Sequence, residues 1–156
     1  MPPLPLRLLM RIPVPWVFVL TYLLGVLLET ARPLPFPFDP SRSVAVGGGL
    51  FIAGAVIAGW ALVLFRRSRT TTIPGRASTA LVTRGPYRFS RNPMYVGLTL
   101  AYLGEAGLLK QIWPVALLPL TIAYLSWTVI PVEEARLTAV FAEEYHRYRA
   151  RVRRWV

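Results

Sequence analysis

The stretch Val44–Phe65, VAVGGGLFIAGAVIAGWALVLF, carries no charged side chain and is long enough to cross a bilayer as one helix. A hydrocarbon core about 30 Å thick requires roughly 17–25 helical residues. Three further apolar runs follow the same pattern, and their only charged residue is Glu105: Ile12–Leu28, Met94–Leu109 and Ile112–Ile130. We therefore predict an all-α integral membrane protein with four transmembrane helices, at residues 12–28, 44–65, 94–109 and 112–130.

The first apolar run also has features of a signal peptide, because Arg7 and Arg11 precede it. The segment Glu29–Arg32 is a poor cleavage site, however, since cleavage favours small residues. Pro13 and Pro15 interrupt the start of the run as well. We therefore expect a retained helix. The chain has no cysteine, which excludes disulfides, thiolate metal sites and a cysteine nucleophile.

The positive charge of the chain is concentrated in two segments. The formal net charge is +11, which in a soluble protein would suggest a nucleic-acid partner. Here most arginines lie between the second and third runs and after the fourth: Arg66, Arg67, Arg69, Arg76, Arg84, Arg88, Arg91, Arg136, Arg147, Arg149, Arg151, Arg153 and Arg154. The positive-inside rule then predicts cytoplasmic N- and C-termini, in the inner membrane if the protein is bacterial. Most of these arginines would set topology and contact membrane lipids, so we expect no nucleic acid.

The chain reads as a single domain, residues 1–156, without an internal repeat. A polar connector, residues 66–93, joins the second and third runs, and Lys110-Gln111 predicts a tight helical hairpin of runs three and four. In the second run, Gly54/Ala58 and Ala55/Gly59 have the spacing that allows close helix packing. Residues 132–154 predict a C-terminal amphipathic cytoplasmic helix. Its apolar face recurs at helical spacing: Leu137, Phe141, Tyr145, Tyr148, Val152 and Trp155.

The segment Gly85–Gly97, GPYRFSRNPMYVG, is the first candidate for chemistry. It combines Arg88 and Arg91 with an expected helix start at Asn92-Pro93, where Asn92 is a plausible N-cap. A helix N-terminus has unpaired N–H groups and partial positive charge, so it binds anions. Arginine adds a planar fork suited to carboxylate or phosphate. Gly97 would allow a ligand or a neighbouring helix to approach closely.

Two adjacent carboxylates, Glu133 and Glu134, stand where the fourth run ends. Neighbouring side chains on a helix point about 100° apart, so the two need not bind one atom. They would flank a cationic or hydroxyl-bearing ligand, or else serve as counter-ions for nearby arginines. Both interpretations remain open at this point.

Glu105 and His146 are two further candidates. A carboxylate inside a membrane helix is costly and marks a functional hypothesis by default. Glu105 also lies near Lys110, with which it would pair if it has no function. His146, the only histidine, would act as a base or remain a solvated surface residue.

These motifs together resemble the isoprenylcysteine carboxyl methyltransferase and phospholipid methyltransferase family of integral membrane enzymes. The resemblance rests on GPYR followed by SRNPMYVG, a helical hairpin, Glu133-Glu134 and the tail EEYHRYRARV, and it covers residues 70–155. It departs at Asn92, where the eukaryotic carboxyl methyltransferases have histidine, and at Arg153, where many relatives have proline.

The resemblance implies an S-adenosylmethionine-dependent methyltransferase, with the cofactor held between the hairpin and the C-terminal helix. It implies the following cofactor-binding residues: Tyr87, Arg88, Arg91, Asn92, Pro93, Tyr95, Gly97, Glu133, Glu134, Tyr145 and Tyr148. Arg91, Glu133 and Glu105 are the candidate catalytic residues, and no metal is expected. The sulfonium needs alignment and exclusion of water rather than a protein nucleophile.

The acceptor would be a lipid or small amphiphile that enters laterally from the bilayer. A carboxylate acceptor needs no base, whereas an amine or thiol must lose a proton, for which Glu105, Glu133 or His146 are candidates. Two alternatives remain. One is a sterol-reductase-like membrane reductase that uses NADPH, although the sequence has no Gly-rich dinucleotide fingerprint. The other is a non-enzymatic membrane scaffold. The oligomeric state is not predicted.

Overall fold

The structure, a computed structural model, describes residues 12–67 and 81–156. Its main helices are α1 (Val14–Ala31), α2 (Pro40–Arg67), α3 (Pro93–Leu109), α4 (Ile112–Tyr124) and α5 (Ile130–Arg151). A 3₁₀ turn at Gly85–Arg88 precedes α3, and a π-helical segment at Leu125–Val129 joins α4 to α5. Within the described residues all regular structure is helical, which agrees with the predicted all-α class. Residues 68–80 of the predicted connector lie outside the described residues, as do Arg7 and Arg11.

Three helical segments are long and apolar enough to cross a membrane: α1, α2 and the segment Ile112–Arg151, which comprises α4, the π-helical segment and α5. The length and apolar composition of these helices are those of an integral membrane protein. Helix α3 has 17 residues, which is short for a span, and it corresponds to the third predicted helix. The prolines that interrupt the first run are compatible with α1, because Pro13 precedes the helix and Pro15 lies in its first turn.

Helices α2 and α3 pack most extensively, and glycine makes this close packing possible. A Cβ atom added at Gly97 would lie 2.5 Å from the backbone nitrogen of Ala58 and 2.7 Å from the carbonyl oxygen of Gly54. Gly54 and Ala58 therefore lie in the contact between α2 and α3, as their spacing predicted. Ala55 and Gly59 do not, because both residues are exposed and a Cβ at Gly59 would meet nothing within 4 Å.

Helix α1 packs mainly on α4, and two polar contacts lock the pair at one end. The carboxylate of Glu29 accepts hydrogen bonds from the backbone N–H groups of Ile112 and Trp113, at 2.9 and 3.0 Å. The hydroxyl of Tyr22 donates to Oε1 of Gln111 at 2.9 Å. Glu29 therefore satisfies two of the free N–H groups at the start of α4, as a cap does.

The turn between α3 and α4 is as short as predicted, with Lys110 in a left-handed conformation at φ 55°. The two helices of this hairpin nevertheless pack little against each other. Helix α3 packs mainly on α2, and α4 packs mainly on α1. The hydroxyl of Tyr102 donates to the carbonyl of Pro114 at 2.9 Å and so links the hairpin.

The C-terminal helix α5 begins before the predicted residue 132 and contains a kink at Ala142, where φ is 40° and ψ is −113°. Ala142 in this conformation interrupts the regular helix, which the helical spacing of the apolar residues does not reveal. Helix α5 also ends at Arg151 and not at the predicted residue 154, so Val152 and Trp155 lie beyond it. All six residues of the predicted apolar face are nevertheless buried or half-buried: Leu137, Phe141, Tyr145, Tyr148, Val152 and Trp155.

Candidate active site

The polypeptide before α3 is held against the end of α2 by the 3₁₀ turn. Gly85 has φ 62°, and a Cβ at this position would lie 2.5 Å from a methyl group of Leu64 and 3.3 Å from the ring of Trp60. Tyr87 is buried together with Ala61 of α2. This packing brings the following residues, Ser90 to Asn92, to the end of the bundle where α4 and the π-helical segment lead into α5.

The centre of the site is an ion-pair cluster on Glu134. Nη2 of Arg91 lies 2.9 Å from Oε1 of Glu134, and both side chains are only 10% exposed. Nη2 of Arg154 lies 2.7 Å from the other oxygen, Oε2. Hydrogen bonding to Glu134 raises the pKa of the Arg154 guanidinium above its usual range. Glu134 is therefore a counter-ion shared by two arginines, one of the two interpretations left open above.

Glu133 faces a different set of partners from Glu134. The hydroxyl of Tyr95 donates to Oε1 of Glu133 at 2.7 Å. Burial, with a smaller contribution from the charge of Glu133, raises the pKa of Tyr87 to about 12. The phenol of Tyr87 is thus protonated at neutral pH. The two glutamates diverge as expected for adjacent helical residues, one toward arginines and the other toward tyrosines.

Tyr145 and Tyr148 of α5 complete the wall opposite α3. Tyr145 is 1% exposed and its ring centroid lies 6.2 Å from that of Tyr148. The hydroxyl of Tyr148 donates to the carbonyl of Tyr87 at 2.8 Å. α5 is thereby fastened to the 3₁₀ turn, and the two predicted tyrosines lie in the same cluster as Arg91, Glu133 and Glu134.

The C-terminal segment after α5 lies across this cluster. The backbone N–H of Arg91 donates to the carbonyl of Arg153 at 2.9 Å. The side-chain amide of Asn92 donates to the carbonyl of Arg154 at 2.9 Å. Nε1 of Trp155 donates to Oγ of Ser126 in the π-helical segment at 3.2 Å. Arg153, where many relatives have proline, thus contributes a backbone carbonyl.

Comparison with known proteins identifies the family. The sequence profile of the phospholipid methyltransferases matches residues 42–144, about two thirds of the chain, and includes Arg91, Glu133 and Glu134 but not Tyr145, Tyr148 or Arg154. The chain belongs to the phospholipid methyltransferase family. This finding confirms the resemblance drawn from the motifs, and it makes the protein a member of a membrane methyltransferase family.

Two curated relatives are similar to part of this chain. The cobalt-zinc-cadmium resistance protein CzcN of Cupriavidus metallidurans is 38% identical over 77 residues, 48% of this chain and 36% of that protein. The nickel-cobalt-cadmium resistance protein NccN of Alcaligenes xylosoxydans xylosoxydans is 38% identical over 71 residues, 46% of this chain and 33% of that protein. The chain thus spans about a third of the length of these relatives. No solved structure matches it.

Three residues of the predicted motif lie beside the site and also make contacts that stabilise the fold. Asn92 occupies the N-cap position of α3, but its side chain bonds to Arg154 instead of capping the helix. Pro93 is buried in the first turn of α3. Gly97 faces Gly54 and Ala58 of α2, so the neighbouring helix, and not a ligand, occupies its open face.

Three other candidates are not brought into the cluster. Arg88 and His146 are exposed. Glu105 lies about 20 Å along α3 from Asn92, at about 1.5 Å per residue. Its neighbours are Tyr22 and Tyr102, near the opposite end of the bundle. Glu105 is therefore too far from Arg91 and Glu133 to act with them.

Three residues of the cluster were not predicted as site residues from the sequence: Ser90, Ser126 and Arg154. Ser90 accepts a hydrogen bond at Oγ from the N–H of Asn92 at 3.0 Å. Ser126 contacts both Arg154 and Trp155. These contacts join residues far apart in the chain, and nothing in their local spacing indicates them. The position of Arg154 shortly after the EEYHRYRARV motif was the one available signal.

The candidate site retains one donor suited to an anionic ligand. Nε of Arg91 is buried and has no hydrogen-bond partner. A buried, charged N–H without a partner is unfavourable, and a ligand carboxylate would satisfy it. Among residues 12–67 and 81–156, no three His, Asp or Glu side chains form a group that could hold a metal ion.

An open apolar groove of about 250 Å³ lies beside the cluster. Its walls come from α2, the 3₁₀ turn, the start of α3 and the C-terminus: Ile57, Trp60, Pro86, Phe89, Ser90, Pro93, Val96 and Val156. Ser90 and Pro93 flank the Arg91-Asn92 pair, so the groove and the ion-pair cluster share a wall.

Proposed function

We propose that this protein is an S-adenosylmethionine-dependent methyltransferase that acts on a lipid or small amphiphilic acceptor at the cytoplasmic membrane face. The observation that carries the proposal is the unpartnered Nε of Arg91, which lies buried at the Glu134 cluster in a chain of the phospholipid methyltransferase family. The cofactor has both a carboxylate for a buried guanidinium and cationic and hydroxyl groups for carboxylates.

Four groups of this chain would hold the cofactor. Nε of Arg91 would donate to its carboxylate, and the oxygen of Glu133 not bonded to Tyr95 would accept from an ammonium or ribose hydroxyl. Tyr145 and Tyr148 would cover it and exclude water, because both are buried against the same cluster. Bound S-adenosylmethionine supplies an electrophilic methyl group.

The protein would also align the acceptor with the methyl group of the cofactor and, for some acceptors, remove a proton. Alignment of two reactants in a water-poor site lowers the barrier without a covalent intermediate. An amine, hydroxyl or thiol acceptor must also lose a proton, and Glu133 is the base best placed to take it. Tyr95 holds one oxygen of Glu133 at 2.7 Å, so for such an acceptor the other oxygen would take the proton instead of binding the cofactor. Glu105 and His146 have no part in this scheme.

The apolar groove supports an amphiphilic acceptor. Trp60, Ile57 and Val96 belong to helices α2 and α3, so the groove opens toward lipid on the side of the bundle. Its walls suit hydrocarbon, while its shared wall with Arg91 and Asn92 brings the polar end of an amphiphile to the cluster. The acceptor therefore enters from the bilayer and not from the aqueous phase.

The orientation follows from where the arginines lie on this fold. The site, Arg66 and Arg67 at the end of α2, and the C-terminal arginines all belong to one end of the bundle. We assign this end to the cytoplasm by the positive-inside rule. Helix α3 would be the fourth span, since its 17 residues extend about 25 Å and it packs along α2.

The direct test is a transfer assay with the detergent-purified protein. S-Adenosylmethionine labelled in its methyl group is incubated with the protein and a bacterial lipid extract, and label in the organic phase is counted. The proposal predicts transfer by the native protein and loss of transfer in Glu133→Gln. Absence of any labelled product with the extract, together with no binding of S-adenosylhomocysteine, would overturn it.

A further inference from the structure

The guanidinium of Arg154 makes three contacts at the cluster. Nη2 and Nε lie 2.7 and 3.3 Å from the two oxygens of Glu134. Nη1 donates to the carbonyl of Ser126 at 3.5 Å. The side chain is 34% exposed, whereas those of Arg91 and Glu134 are 10% exposed. Arg154 therefore approaches Glu134 from the outer side, opposite the buried Arg91.

This arrangement determines how Arg91 can pair with Glu134. An arginine and a carboxylate prefer two parallel hydrogen bonds, in which the carboxylate engages two N–H groups of one fork. Arg91 makes one ion-pair contact with Glu134, through Nη2 to Oε1, whereas Arg154 takes the two-bond arrangement, through Nη2 to Oε2 and through Nε to Oε1. Nε of Arg91 consequently stays without a partner.

Removal of the Arg154 side chain would release Oε2. The last torsion of a glutamate side chain is soft, so the carboxylate can turn about it easily. Glu134 would then be free to engage both Nε and Nη2 of Arg91. Nε of Arg91 would then donate to Glu134 and would no longer be available to the proposed cofactor.

We propose that Arg154 is a positioning residue that keeps Nε of Arg91 available for the carboxylate of the cofactor by holding the outer oxygen of Glu134. This inference rests on the proposed function. Arg154 does not itself contact the cofactor in this account. The π-helical segment takes part because the carbonyl of Ser126 receives the third contact of the guanidinium.

A double-mutant cycle with a binding readout tests the proposal. The dissociation constant for S-adenosylhomocysteine is measured by calorimetry for the native protein, Arg154→Ala, Arg91→Ala and the double variant. Arg154→Ala should weaken binding about tenfold, the effect of losing one charge-assisted hydrogen bond. The double variant should bind no more weakly than Arg91→Ala, because both changes remove the same contact.

Two further variants separate positioning from simple loss of charge or of structure. Arg153→Ala is the matched control, since it removes an adjacent positive charge while its backbone carbonyl still accepts from Arg91. It should bind like the native protein. Arg154→Lys should restore affinity to within about threefold, because an ammonium can still hold one oxygen of Glu134 but lacks the planar fork.

The outcomes distinguish this inference from the proposed function. If the native protein binds and the losses in Arg91→Ala and Arg154→Ala multiply in the double variant, Arg154 acts independently of Arg91 and the inference is overturned. If Arg153→Ala weakens binding as much as Arg154→Ala, the effect is one of net charge and the inference is overturned again. If the native protein binds no S-adenosylhomocysteine, the proposed function falls and the inference with it.

Discussion

Nη2 of Arg91 lies 2.9 Å from Oε1 of Glu134, and each of the two side chains is 90% removed from solvent. The pair joins the segment before α3 to the first turns of α5, so it fixes two walls of the site to each other. Because Arg154 shares the same carboxylate, the single negative charge of Glu134 faces two positive charges. Its removal would leave two arginines without their counter-ion.

Glu134→Ala should therefore lower stability as well as ligand affinity. Breaking a buried ion pair from one side typically costs about 3–5 kcal/mol, since an unpaired charge remains buried. The thermal unfolding midpoint in detergent should fall clearly. Glu144→Ala, an exposed position on the same helix, is the control and should unfold like the native protein. Equal midpoints for the two variants would contradict the structural importance of the pair.

Glu133→Gln should mainly affect turnover. The variant keeps an acceptor for the hydroxyl of Tyr95 but cannot take a proton, so for an acceptor that must be deprotonated kcat should fall about a hundredfold. Tyr95→Phe, which only loosens the carboxylate, should have a smaller effect on kcat. A Glu133→Gln enzyme with native kcat would remove Glu133 from the chemistry and leave a carboxylate acceptor as the simplest explanation.

Gly97→Ala should destabilise the protein by disturbing α2 and α3. The new methyl group would lie 2.5 Å from the backbone nitrogen of Ala58, and backbone cannot move aside as a flexible side chain can. Gly59→Ala offers the matched control, because a Cβ there meets nothing within 4 Å. The test compares thermal midpoints of the two variants. A lower midpoint for Gly59→Ala than for Gly97→Ala would contradict the packing described here.

Glu29→Ala should destabilise the pairing of α1 with α4. The carboxylate accepts three backbone N–H groups, two from the start of α4 and one from Leu34, so its loss removes a cap. A lost cap costs about 1–2 kcal/mol. Glu29→Gln keeps one acceptor oxygen and should fall between the native protein and Glu29→Ala in thermal midpoint. No change in either variant would show that the contact does not stabilise the pair.

The helices were predictable from sequence because bilayer length and the apolar runs impose them. The run Val44–Phe65 lies within α2, and Pro93 begins α3 as expected for a proline in the first helical turn. The kink at Ala142 was not predictable, since an alanine with φ 40° depends on tertiary packing and not on local propensity.

The site was predictable in its residue types but only partly in its pairings. The clustering of Arg91 with Glu133 and Glu134 followed from the family motifs, and the divergence of the two glutamates followed from helix geometry. Glu105 was a candidate because a membrane carboxylate is unusual, but its position along α3 places it at the other end. The role of Arg154 depends on the break in α5 at Ala142, which lets the end of the chain lie beside Glu134 and which no periodicity encodes.

The most direct test of the proposed cofactor site is calorimetric titration of the detergent-purified protein with S-adenosylhomocysteine, with NADPH as the comparison ligand. We expect micromolar binding of S-adenosylhomocysteine that is lost in Arg91→Ala, and no binding of NADPH. Binding of NADPH instead, or of neither ligand, would contradict this expectation.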